Sequence, residues 1–186
     1  MADFCLKTER LVLRGWRDED VPAFHAICSD PTVMATLGAP LSYEQTEALV
    51  ARMQGLQADL GHCFWAMERS EDARLMGWCG IIRGSVGPVV DQPEAGWRMA
   101  ADCWGKGYAS EAARASIHWA FANLPDPAVY AITSDGNQRS RAVMERMGMT
   151  RLAEGDFDHP KVDPASPLLR HVTYSVTRED WDSRAA

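Results

Sequence analysis

Between Gly105 and Asn123 the apolar positions Ala113, Ile117, Ala120 and Phe121 recur at helical spacing. Ser110, Glu111 and the run Ala112, Ala113, Ala115 favour a helix there. Just before it, Trp97-Arg98-Met99 reads as the end of a strand that starts at Glu94 and runs to Ala100. Just after it, Leu124-Pro125-Asp126-Pro127 stops the helix, and Ala128 to Ser134 reads as a short apolar strand. Two strands bracketing one helix imply a right-handed parallel crossover.

The rest of the chain alternates short helices and strands. Leu11, Val12 and Leu13 predict the first strand. Asp18, Glu19 and Asp20 before Val21-Pro22 predict a helix start, with the helix running to about Cys28. Ser29-Asp30-Pro31 stops it and opens a second short helix through Leu37. Ser42-x-x-Gln45 reads as a capping box for a helix to about Asp59, with Ala48, Leu49, Met53 and Leu56 on one face. Phe64 to Arg69 and Leu75 to Ile82 predict a hairpin around Ser70–Ala73. The glycine- and proline-rich stretch Gly84 to Pro93 predicts a mobile loop. Asn137 opens a helix to about Met147, ended by Gly148. Met149 to Phe157 starts a strand, Asp156 to Pro167 is a proline-rich loop, and Leu168 to Thr177 is the final strand. An α/β fold with a mixed sheet and helices on both faces fits this order.

Length and charge narrow the function classes. At 186 residues the chain reads as one domain, 1–186, with an ample core. It has no run of roughly 18 apolar residues, and its first residues lack the apolar centre of a signal peptide. A cytoplasmic protein with no membrane partner is therefore expected. Five cysteines, at 5, 28, 63, 79 and 103, form no C-x-x-C pair and predict reduced thiols. Cys103, beside the glycine turn, is a candidate reactive thiol. A net charge of −7 argues against a nucleic-acid partner and suits a cationic or amine-bearing substrate.

The turn Trp104-Gly105-Lys106-Gly107-Tyr108-Ala109 carries the candidate chemistry. Glycines without Cβ atoms let the backbone approach a ligand closely. The first turn of a helix presents unpaired N–H groups and partial positive charge, a site for phosphate or pyrophosphate. Lys106 adds a mobile cation. The spacing is neither a Walker loop nor a full dinucleotide fingerprint. A tight turn with no ligand explains the two glycines equally well.

Glu94-Ala95-Gly96-Trp97-Arg98-Met99, Tyr108-Ala109-Ser110-Glu111-Ala112, Asn137-x-x-Ser140 and Met147-Gly148-Met149 together resemble the GNAT superfamily of acyl-CoA-dependent N-acetyltransferases. The WGKGYA-x-EA stretch resembles its RimJ/RimL-type branch, and the resemblance runs from Thr8–Arg14 to the last strand. It implies a GNAT fold with a mixed, mostly antiparallel sheet of about seven strands. It implies acetyl-CoA as co-substrate and a primary amine, on a small molecule or a peptide, as acceptor. It also implies that the early helices lie over the acceptor cleft. The cofactor-binding residues it implies are Trp97, Arg98, Met99, Trp104, Gly105, Lys106, Gly107, Tyr108, Ala109, Asn137 and Ser140.

Acetyl transfer requires that the amine lose a proton, that the carbonyl oxygen find a donor, and that the leaving thiolate be stabilised. Direct attack in a ternary complex needs neither a metal nor a covalent intermediate. By the resemblance Glu94 is the base, which needs a pKa raised by burial. A solvated strand-end glutamate is the alternative. The backbone N–H near Met99 is the implied oxyanion donor, although Met99 also fits as core. Many relatives have a tyrosine seven residues after the asparagine. This chain has Met144, and Ser140 is the implied substitute at the cofactor sulfur. Asn137 both caps a helix and, by resemblance, contacts the pantetheine arm. Arg139 and Arg141 are either contacts to the 3′-phosphate or a solvated face. Asp102 stands where the superfamily turn usually has Gln or Arg. Asp156, Asp158, His159 and His171 match no common metal motif, and no metal is expected. By resemblance Asp158 or His159 lies near the acceptor. Trp16, Trp65, Trp78 and Trp97 read as core or cleft walls. Two other classes stay open: a CoA-binding sensor without turnover, and an interaction domain such as a homodimer.

Overall fold

Residues 4–185 are described by a computed structural model. The chain positions outside them, at both ends of the expected 1–186 domain, lie outside the described residues. In chain order the elements are β1 (Cys5–Lys7), β2 (Leu11–Arg14), α1 (Val21–Cys28), α2 (Pro31–Met34), α3 (Tyr43–Leu60), β3 (Phe64–Arg69), β4 (Leu75–Arg83), β5 (Pro93–Met99), α4 (Tyr108–Asn123), β6 (Ala128–Ser134), α5 (Gln138–Arg146), β7 (Thr150–Arg151), β8 (Phe157–Asp158), β9 (Arg170–Thr177) and α6 (Arg178–Ala185).

The nine strands form one sheet in the order β1-β2-β3-β4-β5-β6-β9-β7, with β8 also paired to β9. Every pairing is antiparallel except β5 with β6. The count exceeds the expected seven because β1, β7 and β8 are very short edge pieces, with too few residues to set up a readable alternation. The predicted strand from Met149 is therefore only β7 and β8, separated by a tight turn at Ala153–Gly155.

α4 covers one face. Its Trp119 ring lies 5.0 Å from Trp65, and its Ser116 hydroxyl lies 3.6 Å from the Cys79 thiol. α1 covers the other, where Phe24 packs on Trp16 and the Trp16 indole donates to the Phe64 carbonyl at 2.7 Å. Pro22 at the start of α1 and the Ser42–Gln45 capping box of α3 act as the sequence indicates. The buried face of α3 differs from expectation: Thr46, Val50 and Met53 are buried and Ala48 is exposed. The Thr46 hydroxyl bonds the Ser42 carbonyl at 2.9 Å, which removes the polarity that hid it from the hydrophobic pattern.

Long-range polar contacts fix the layers. Arg14 is buried against Asp20 at 2.7 Å and Glu68 at 2.9 Å, tying β2, β3 and the turn before α1 together. Arg178 donates to the carbonyls of Phe121, Leu124 and Asp126, closing the C-terminal end of α4. α6 was not anticipated, although the Thr177 hydroxyl at its start accepts from the Asp180 N–H and donates to the Asp180 carboxylate. The Gly84–Pro93 stretch is a hydrogen-bonded turn with Val89 fully buried, where a mobile loop was expected. All five cysteines are free thiols, and four are buried. No described helix is long and apolar enough to cross a membrane.

Candidate active site

β5 and β6 are in register at a single pair, Glu94 opposite Tyr130. Beyond it the strands part, and a cavity of about 870 Å³ opens between them. The parting is inherent in the connection. β5 leads into α4 through a tight turn, and β6 leads into α5, so each strand end is drawn to its own helix.

Ten of the cofactor-binding candidates line this cavity: Trp97, Arg98, Met99, Trp104, Gly105, Gly107, Tyr108, Ala109, Asn137 and Ser140; Glu94 lines it too. Lys106 does not. Its carbonyl instead accepts from Arg10 Nη1 at 3.0 Å, and its side chain is exposed. Gly105 and Gly107 have φ of 74° and 84°, left-handed values that explain both glycines. In α4 the first N–H bonded back along the helix is that of Glu111, to Gly107. The N–H groups of Tyr108, Ala109 and Ser110 precede it, and all three residues border the cavity.

The turn is anchored from two sides that the sequence did not reveal. Glu111 accepts from the Thr8 hydroxyl at 2.6 Å and from the Arg10 backbone and guanidinium, while Arg10 lies over the Tyr108 ring. Asp102, the residue that departs from the usual pattern, pairs with Arg74 at 2.7 Å. The Trp104 indole donates to the Met99 carbonyl at 3.1 Å, and Arg139 stacks on its outer face. Cys103 is buried and burial pushes its thiol up, the opposite of an activated nucleophile.

Asn137 caps α5: its Oδ1 accepts from the Ser140 N–H at 3.2 Å and its Nδ2 donates to Thr133. This cap aims the first turn of α5 at the cavity. The Ser140 hydroxyl makes no hydrogen bond to another described residue. Arg141 is drawn away, onto Asp135 and Tyr174. Met144 is core.

Glu94 is the one carboxylate in a lining that also holds Arg98, Arg139 and Arg146. Burial pushes its carboxyl up to about 7, against an opposing pull from Arg52. The lining also includes residues that the sequence did not single out: Thr32, Val33, Thr36 and Leu37 around α2, and Phe64. No local signal marks them: packing of the α2 segment over β6, seen in the bond from Ser134 to the Thr36 carbonyl, brings the first four there, and pairing of β3 with β4 and β4 with β5 brings Phe64. Trp78 and Trp97 are cavity walls and Trp16 and Trp65 are core. Asp158 and His159 are not in the lining. Asp156 pairs with Arg151, Asp158 with Arg170, and His159 packs on His171.

Comparison with known proteins bears on what this arrangement is. Residues 10–150 match the family model described as an acetyltransferase (GNAT) domain. YkkB of Bacillus subtilis strain 168 is 31% identical over 145 residues, covering 77% of this chain and 84% of that protein. A GNAT-family acetyltransferase from Bacillus anthracis superposes with a TM-score of 0.77 at 27% identity, covering 95% of this chain and 99% of the other. RimL, the ribosomal L7/L12 α-N-protein acetyltransferase, superposes at 0.75 with 17% identity over 94% of each chain, a likeness of fold alone.

Proposed function

This chain belongs to the GNAT acetyltransferase family, and we propose that it transfers the acetyl group of acetyl-CoA to a primary amine by direct attack in a ternary complex. The observation that carries the reading is Glu94. A carboxyl pushed up to about 7 stands where β5 and β6 part, inside a cavity that also receives the N-terminus of α4. A carboxylate of that basicity accepts a proton from an ammonium near neutral pH far better than an ordinary glutamate.

The cradle suits a polyanionic nucleotide. Left-handed glycines expose backbone N–H groups, the helix dipole adds positive charge, and Arg139 and Arg146 supply cations in a chain of net charge −7. In this reading the pyrophosphate rests on the Gly105–Ser110 backbone and the pantetheine arm enters between β5 and β6. Glu94 takes the proton of the amine, directly or through water. The amine attacks the thioester carbonyl, whose oxygen is held by the backbone N–H near Met99. Collapse breaks the C–S bond, and the second proton that the attacking nitrogen must lose passes to the leaving thiolate, to whose sulfur the Ser140 hydroxyl donates a hydrogen bond. The acceptor amine belongs to a small molecule or a peptide. The RimJ/RimL-type branch, and with it a protein N-terminus, rests on the WGKGYA-x-EA stretch.

Calorimetric titration with acetyl-CoA, followed by thiol release with a panel of amines, tests the reading. Glu94→Gln is expected to lose about 10²–10⁴-fold in turnover while keeping acetyl-CoA binding. Undiminished turnover removes Glu94 from the mechanism. Absence of binding at millimolar acetyl-CoA overturns the whole assignment.

A further inference from the structure

We propose that the acceptor carries a carboxylate besides its amine, joined to it by a short apolar chain, and that Arg98 is the group that binds this carboxylate. The inference rests on the acetyl-CoA-dependent reading of the cavity.

Strand alternation puts Glu94, Gly96 and Arg98 on one face of β5 and Trp97 and Met99 on the other. The Arg98 side chain goes to the α1 side of the sheet, where its Nη1 lies 3.2 Å from the Cys28 thiol at the end of α1. It therefore points away from the helix terminus that suits the phosphates. Its Nε is the one buried side-chain nitrogen or oxygen without a partner among the described residues. The other buried or half-buried arginines described, Arg14, Arg69, Arg83, Arg141 and Arg178, all end on oxygen atoms. Arg98 ends on a thiol, a weak acceptor whose own ionisation is suppressed by burial. A guanidinium left without an oxygen partner at a cavity wall has the planar fork that takes a carboxylate through two parallel bonds.

The wall between the two charged groups says what joins the amine to the carboxylate. Gly96 separates them, and a Cβ there would meet the Phe64 ring at 2.7 Å and Trp78 at 3.1 Å. Those two rings are stacked 4.1 Å apart and form an apolar floor. Four residues of extended strand span about 13 Å between Cα atoms, of which the two side chains close part. A carboxylate base, an apolar floor and a guanidinium in line match an ω-amino acid better than an α-amino acid.

The test uses the full chain with acetyl-CoA and ω-amino acids of increasing length, each beside the alkylamine that lacks the carboxylate. Thiol release gives kcat/KM, and calorimetry on the CoA-loaded protein gives binding of each compound whether or not it is turned over. The amino acids are expected to exceed their alkylamines by about 10- to 100-fold. Arg98→Gln is expected to abolish that preference by raising the KM of each amino acid toward that of its alkylamine, and Arg98→Lys to retain part of it. Equal values within each pair, by turnover or by binding, overturn the carboxylate site while leaving the acetyltransferase reading intact. Loss of acetyl-CoA affinity in Arg98→Gln assigns Arg98 to the cofactor and also overturns it. Failure of the unaltered protein to bind acetyl-CoA is a separate result and strikes the underlying function.

Discussion

Glu94 stands opposite Tyr130 at the one position where β5 and β6 are in register, so the proposed base sits at the root of the cleft that the two strands open. Burial there raises the pKa of its carboxyl.

The pH dependence follows from that shift. Catalysis by the Glu94 carboxylate is expected to rise with pH and level off above about 7, and Glu94→Gln is expected to lose that limb. Stability runs the other way. The folded protein holds this proton to about 7, whereas the unfolded chain releases it near the ordinary glutamate value, so the Glu94 contribution is lost as pH rises between the two. Glu94→Gln should therefore gain stability relative to the parent at pH 8 but not at pH 4, by up to about 2–3 kcal/mol. Thermal melts at the two pH values measure it.

Gly105→Ala isolates backbone conformation from crowding. A Cβ there meets nothing within 4 Å, yet φ is 74°. The variant is expected to lose about 1–2 kcal/mol of stability or to change the turn, with weaker acetyl-CoA binding by calorimetry. An unaltered affinity would mean that the turn does not hold the pyrophosphate.

Gly96→Ala probes the opposite side of the cavity. The new methyl must push the Phe64 ring, part of the proposed acceptor floor. Steady-state kinetics should show a raised acceptor KM with the acetyl-CoA dissociation constant little changed, because the turn proposed to hold the phosphates lies on the other face.

Arg178→Ala removes the closure of α4 at the end remote from the cavity. Leaving those carbonyls short of a donor is expected to cost about 1–3 kcal/mol in urea unfolding, with KM values unchanged.

Much of this was legible in the chain because the signals are local. The boundaries of α1, α3, α4 and α5 follow from caps, from prolines at the start of α1 and after the end of α4, and from glycines such as Gly107 and Gly148, each of which acts within one turn of the backbone. β6 was read correctly because it is a short apolar run. The glycine turn before α4 was legible because left-handed φ at 105 and 107 needs glycine whatever surrounds it. β7 and β8 were read as one strand, and α6 was missed, because their stability comes from what they pack on: β7 and β8 from β9, and α6 from Trp181 against Phe121.

By itself, then, the sequence determined the order of elements, the glycine turn before α4 and the residues worth suspecting. Tertiary structure alone decided which of them share a cavity. Desolvation of Glu94, the clamp of Thr8 and Arg10 on Glu111, and the unpartnered Nε of Arg98 all depend on residues far away in the chain. A pKa and an unmet hydrogen bond are properties of an environment, and the environment exists only once β5, β6, α1 and α4 are brought together.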